Sequence, residues 1–243
     1  MPDDTIVLSA TGLEKRYGGV LALGGVDFEL HSEEVVGVIG PNGSGKTTLF
    51  DVLSGATRAS GGEIRWRGRS ITRTAAHERA RMGLARTFQQ AMAFPGLSVL
   101  DNLEAACVAA EHRSDRATTW DCDGLLDYAG LSKLADTSAG DLSWGQGRIL
   151  GVAMALALSP EALLLDEPFA GLSPVAVHEI TTILTRLKDD GHALAIIDHE
   201  LEYVLPLCDR LLVMATGLKI AEGEPAEVIA MDIVQSAYLG DLG

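Results

Sequence analysis

Short apolar runs alternate with amphipathic stretches along the chain. The runs Ile6–Ala10, Val26–Leu30, Val35–Ile39, Glu63–Trp66, Ala85–Phe88, Leu163–Asp166, Ala193–Asp198, Leu211–Ala215 and Lys219–Ala221 read as β-strands. Leu163–Leu165 and Ala193–Ile197 are apolar at every position, as strands of a parallel sheet covered on both faces must be. Helical patterns begin near Lys46, Asp101, Gly147, Pro174, Leu201 and Pro225. Ser173-Pro174 places a capping hydroxyl before a proline at the first helical position, and Ser159-Pro160 ends an apolar helix. Between about Gln90 and Ala139 the strand pattern stops and the stretch reads as an inserted helical lobe. The early strands over 6–30, with Glu63–Trp66, read as a separate antiparallel layer.

One junction carries chemistry. The strand Val35–Ile39 runs into Gly40-Pro41-Asn42-Gly43-Ser44-Gly45-Lys46-Thr47-Thr48, and a helix opens behind it. The segment fits the phosphate-loop pattern of glycine, four free positions, then Gly-Lys-Ser/Thr. Its glycines let successive backbone N–H groups curl inward toward one phosphate, and the helix N-terminus adds its positive end. Lys46 is placed to reach the β- and γ-phosphates, and Thr47 to offer its hydroxyl to Mg²⁺.

The apolar strand Ala162–Leu165 ends in Asp166-Glu167-Pro168. Alone, two adjacent carboxylates at a strand end are equally well a solvated turn. Beside a phosphate loop, Asp166 is placed to hold the Mg²⁺ shell and Glu167 to polarise an attacking water as general base.

Leu142-Ser143-Trp144-Gly145-Gln146 precedes Asp166 by 20 residues, counted from Gln146. With this string in place, the chain resembles the ATPases of ABC transporters, whose signature is usually Leu-Ser-Gly-Gly-Gln. The resemblance implies an α/β fold: a P-loop NTPase (RecA-like) parallel-sheet core with an antiparallel β layer and an inserted α-helical subdomain. One ABC ATPase domain would span 1–243, with 1–89 and 140–243 as catalytic core and 90–139 as helical subdomain. It further implies ATP and Mg²⁺ as ligands, and two subunits packed head to tail. Ser143, Gly145 and Gln146 of one subunit would then cover the γ-phosphate held by the other's phosphate loop.

By the same resemblance, Gln89 is the glutamine that touches Mg²⁺ and the water and senses a membrane partner. His199 is the switch histidine on the γ-phosphate, and Tyr17 the aromatic that stacks on adenine. Taken singly, His199 is more often a surface or capping histidine and Tyr17 more often a packing residue; the ordered set is what raises them. Trp144 stands where the usual signature has Gly, and Ser173 where many relatives carry Asp. The strings Gly40-Pro41-Asn42-Gly43, Thr48-Leu49-Phe50, Arg86-Thr87-Phe88-Gln89, Ala170-Gly171-Leu172 and Ala237-Tyr238-Leu239-Gly240 resemble the subfamily of branched-chain amino-acid importers and their amide or urea relatives. That subfamily implies permease subunits in the membrane, an identical or sister ATP-binding subunit, an external solute-binding protein, and a place at the cytoplasmic face of the membrane.

Composition narrows the alternatives. Acidic residues outnumber basic ones 34 to 19, which disfavours nucleic acid as a partner, because phosphate neutralisation needs a basic face. The same balance, with a single cassette, weighs against a non-transport ABC ATPase acting on ribosomes or DNA. A P-loop kinase would leave Leu142–Gln146 and His199 idle, and a nucleotide-gated binding module without turnover would leave Glu167 idle. The longest apolar run, Ile149–Leu158, falls short of the roughly 20 residues a membrane span needs. Cys107, Cys122 and Cys208 are scattered and read as reduced thiols.

Overall fold

The computed structural model describes residues 6–87, 93–111 and 120–239. In chain order, β1 (Ile6–Tyr17) and β2 (Val20–His31) form a hairpin, and β3 (Val35–Ile39) feeds α1 (Lys46–Ser54). Then come β4 (Gly61–Trp66), β5 (Arg69–Ser70), α2 (Ala76–Met82) and β6 (Leu84–Arg86). The next helices are α3 (Val99–Glu111), α4 (Cys122–Tyr128) and α5 (Trp144–Ala157). The chain closes with β7 (Ala162–Asp166), α6 (Pro174–Asp189), β8 (Ala193–Ile197), α7 (Leu201–Val204), β9 (Arg210–Ala215), β10 (Leu218–Gly223), α8 (Pro225–Ile229) and α9 (Asp232–Leu239).

Two sheets result. One is antiparallel, ordered β2-β1-β4-β5; the other is ordered β10-β9-β3-β8-β7-β6 and is parallel except for the β10 edge. In β3, Val35 and Ile39 pack into one apolar cluster, and Val36 and Val38 into another on the opposite face. In β8, Leu194 and Ile196 join the first, and Ala193, Ala195 and Ile197 the second. This two-residue period is the pleat itself, and it explains the continuous apolarity of these strands. The second cluster holds Leu49, Phe50, Val52 and Leu53 of α1 between the two sheets; the first lies under α5 and α6 and includes Val99, Leu103, Leu125 and Leu126 of α3 and α4.

The register aligns the strand ends. Val38 of β3 and Asp166 of β7 both pair with Ile197 of β8. The segments after β3, β7 and β8 therefore leave the sheet along one edge, the carboxyl edge where α/β sheets place ligands.

Several elements differ from the sequence expectation. β1 continues to Tyr17, and β2 begins already at Val20. Left-handed Gly12 (φ 58) and Gly25 (φ 93), with register shifts between Ala10 and Leu13, break the alternation that a single-strand reading follows. α5 starts at Trp144 rather than near Gly147, because Ser143 caps it. β6 runs Leu84–Arg86, and Phe88 lies outside the described residues. α2 and α9 were not anticipated; α2, Ala-His-Glu-Arg-Ala-Arg-Met, has almost no apolar face. The cysteines are also closer than their spacing suggests: Cys107 Sγ and Cys122 Sγ are 2.9 Å apart, and all three cysteines are free thiols.

α2 is organised around a buried cation. Arg79, 2% exposed, donates from Nη1 to the Val52 and Leu53 carbonyls at 2.8 and 2.6 Å. It also donates from Nη2 to Ile71 O at 2.9 Å and from Nε to Thr74 O at 3.0 Å. A guanidinium at the carboxyl end of α1 adds donors to its last carbonyls, Val52 O being shared with the Gly55 cap, and it complements the helix dipole. Burial lowers the pKa of Arg79 to about 10, so it stays charged at neutral pH. Replacing Arg79 by Met removes every one of these bonds, leaving Val52 O to the Gly55 amide and Ile71 O to the Thr74 amide while Leu53 O and Thr74 O lose the guanidinium. Arg79→Met is expected to lower unfolding free energy by about 3 kcal/mol, read as a shift in the urea midpoint with an unchanged slope.

Candidate nucleotide site

The loop between β3 and α1 closes on itself. Gly40 has φ 145, and a Cβ there would lie 2.0 Å from Met214 O, so no side chain fits. Gly45, the N-cap of α1, has φ 104 and backs onto Ala22 O. Ser44 N donates to Pro41 O at 3.2 Å, and Gly217 N to Ser44 O at 2.9 Å, which ties the loop to the β9–β10 turn. Lys46, 7% exposed, folds over the loop and donates to Gly40 O at 2.7 Å and Pro41 O at 2.9 Å.

A cleft of about 390 Å³ opens over this loop, lined by Asn42 to Thr48 with Val20–Ala22 on one side and Glu167, Thr216 and Gly217 on the others. Backbone amides, one lysine and hydroxyls line its floor, and one carboxylate stands at its rim. Gly43 has open space around its α-carbon, and Thr47 is exposed to the cleft.

Asp166 ends β7 and is 4% exposed. Burial raises its pKa, and the Arg86 guanidinium beside it opposes that rise. Glu167 follows in a left-handed conformation, φ 49, with its N–H bonded to Ile197 O at 2.7 Å. This strained backbone directs consecutive side chains of one strand end to different surroundings, Asp166 into the interior and Glu167 to the cleft.

Asp198, fully buried, organises the neighbouring loops. Its Oδ1 accepts from His199 N at 2.8 Å and Glu200 N at 3.1 Å, and its Oδ2 accepts from Phe169 N at 2.9 Å. Burial raises its pKa against the pull of these three donors.

At the start of α5, Ser143 Oγ accepts from Gln146 N at 3.3 Å and Gln146 Oε1 from Ser143 N at 2.9 Å, a reciprocal capping box. Gly145 presses on α6, where a Cβ would lie 2.4 Å from Ala176 Cβ. Trp144 is 56% exposed; its Nε1 donates to Ala170 O at 3.4 Å.

A comparison with known families matches residues 23–170 to the family described as ABC transporter. The chain belongs to that family. Relatives agree along almost the whole length. The high-affinity branched-chain amino acid transport ATP-binding protein LivG of Escherichia coli K12 is 34% identical, covering 97% of this chain and 98% of that protein. The lipopolysaccharide export system ATP-binding protein LptB of the same organism is 37% identical, covering 96% and 97%. A solved structure, the ADP conformation of MJ1267, an ATP-binding cassette of an ABC transporter, superposes with a TM-score of 0.84 at 31% identity over 97% of this chain and 99% of that one. The chain is therefore an ABC ATPase, the ATP-binding subunit of a transporter.

Within this cassette some of the expected site residues line one cleft and others, Asp166 among them, do not. Asn42, Gly43, Ser44, Gly45, Lys46, Thr47, Thr48 and Glu167 line one cleft, with Gly40 and Pro41 supplying the carbonyls behind Lys46. Ser143, Gly145 and Gln146 do not line that cleft, and the side-chain oxygen of Gln146 is taken up by the capping box. Tyr17, half exposed, ends β1 opposite Val20 with Lys15 Nζ 4.7 Å from its ring centre; Val20, Leu21 and Ala22 line the cleft instead of it. His199 Nδ1 lies 3.6 Å from Asp198 Oδ1 and Nε2 3.5 Å from Glu200 Oε1, outside the cleft lining. Gln89 lies outside the described residues.

Sequence reasoning missed Asp198, which looked like a strand end, and Arg86, which it used only within a family string. It also missed Arg148, buried under Trp144 with its guanidinium carbon 5.3 Å from the indole ring centre. A charged residue in an apolar strand or helix was the available signal for each, since burial without a partner is costly. Replacing Asp198 by Ala removes the acceptor of three backbone N–H groups, of which that of Phe169 is buried. Asp198→Ala is expected to cost about 2–4 kcal/mol of stability, read in urea denaturation, with faster amide exchange at Phe169 and His199 than elsewhere.

Proposed function

We propose that this ATPase energises import of a small polar or amino-acid-type solute, of the branched-chain amino-acid class, through permease subunits at the cytoplasmic face of a membrane. LivG-type relatives matched end to end at about a third identity support this reading, together with the importer-like strings in the sequence. No helix among the described residues is long and apolar enough to cross a membrane, so membrane partners would carry the solute path. An external solute-binding protein and a second ATP-binding subunit complete the assembly.

In this reading the adenine enters beside Val20 and Tyr17. Gly40–Thr48 wrap the β- and γ-phosphates, with Lys46 turning from the Gly40 and Pro41 carbonyls toward the phosphate. The donor set suits a divalent cation: a threonine hydroxyl facing the cleft and a strand-end carboxylate, Thr47 and Asp166, with Gln89 as a third ligand. Such a cation neutralises charge on the β- and γ-phosphate oxygens. Glu167, aimed at the cleft by its left-handed backbone, orients and deprotonates the attacking water. His199 stabilises the charge that develops on the γ-phosphate. Ser143, Gly145 and Gln146 act across the interface, on nucleotide held by the partner subunit.

A second reading, export, is supported by the equally full-length match to LptB. Purification with the membrane chains of the source cell decides between them: an importer permease is expected, and an export complex would replace the import reading.

Two variants test the chemistry. Glu167→Gln is expected to bind ATP with parental affinity and to release phosphate about 10²–10⁴-fold more slowly, while gel filtration with ATP shows a dimer. Hydrolysis at the parental rate would remove Glu167 as base. Ser143→Arg is expected to abolish turnover yet leave binding by the isolated subunit unchanged; normal turnover would exclude a site shared between subunits.

A further inference from the structure

Arg86 ties together the two elements that carry the cation-side residues. It ends β6, with Arg86 in register with Leu164 of β7, and its side chain is 5% exposed. Nη2 donates to Asp166 Oδ2 at 2.7 Å, and Nη1 donates to Asp51 Oδ1 at 2.6 Å and Ser54 Oγ at 3.3 Å. Asp51 and Ser54 belong to α1, and Asp51 follows Thr47 by four residues, one helical turn along the same face.

We infer that Arg86 is a positioning residue for the cation site, setting the separation of Thr47 on α1 from Asp166 on β7. This inference rests on the cation site proposed above. A planar guanidinium offers two donors in fixed relative directions, so a single side chain holds carboxylates on two different elements at a set spacing. Its bond to Asp166 falls on Oδ2. Partners that orient a metal ligand from behind typically change metal affinity 10- to 100-fold when removed.

The experiment measures affinity for a non-hydrolysable ATP analogue with excess Mg²⁺ and again with EDTA, for the parent, Arg86→Gln, Arg86→Lys, Asp51→Ala and Asp166→Asn. The cation-dependent gain is the ratio of the two affinities. Arg86→Gln is expected to keep its EDTA affinity within about twofold and lose at least about tenfold of the gain; Arg86→Lys recovers part of it. Asp51→Ala keeps the buried Asp166–Arg86 pair and removes the shorter, charged link to α1, the 3.3 Å bond to Ser54 remaining, so its gain is expected to fall several-fold in a protein that stays folded. An Mn²⁺ resonance spectrum of the analogue complex is expected to broaden in both variants. An unchanged gain in Asp51→Ala overturns the brace, whether or not Arg86→Gln folds, and so does a loss that strikes both conditions equally along with thermal stability. If Asp166→Asn keeps the parental gain, the cation site itself is wrong rather than the brace.

Discussion

A phosphate-binding loop must leave its amide donors unpaired and still hold them in one geometry. Those two demands conflict, because unpaired buried donors are costly and loops without internal bonds are loose. Here α1 resolves the conflict. Its amino end supplies the donors, while its body is fixed elsewhere. Leu49, Phe50, Val52 and Leu53 are buried between the two sheets, Arg79 holds the last carbonyls, and Arg86 holds Asp51 in the middle. The loop itself is tied to the β9–β10 turn and by Lys46, and Gly40 and Gly45 let it lie against Met214 O and Ala22 O. The helix is rigid because of contacts far from the phosphates.

The carboxyl edge of the parallel sheet does the rest. Matching registers of β3, β7 and β8 bring the phosphate loop, Glu167 and His199 to one side of the molecule. Within that edge, buried polar groups sort the carboxylates into separate duties. Asp198 accepts three backbone N–H groups and shapes the turns around it. Asp166 is held by a guanidinium, and Glu167 is turned outward by a strained backbone. Three acids close in space thus differ in environment, and the proposed division into a structural acid, a cation ligand and a base follows that difference.

The residues of the family signature behave differently. Ser143 and Gln146 cap each other, Gly145 allows α5 to approach α6, and Trp144 reaches Ala170 in the segment after Glu167. Inside one chain they form a capped helix start at which Ser143 and Trp144 are exposed. The indole at a position where the usual signature has glycine links that surface to the segment leaving β7, and Arg148 lies beneath it.

The phosphate loop, the strand-end acids and the parallel core were legible in the sequence because each depends on neighbours along the chain: a glycine spacing, an apolar run ending in charge, a serine before a helix. The antiparallel strands were read too short, since left-handed Gly12 and Gly25 interrupt an alternation that only cross-strand pairing restores. α2 escaped notice because a buried arginine, rather than an apolar stripe, holds it in place. What tertiary structure alone decided were the pairings across distance: Arg86 with Asp51 and Asp166, Asp198 with Phe169, Cys107 with Cys122, and Val20 rather than Tyr17 along the cleft wall. Local periodicity determines which residues form an element. Which charges meet depends on how the sheets stack, and the burial that then makes such a meeting energetically necessary has no signature in the order of residues.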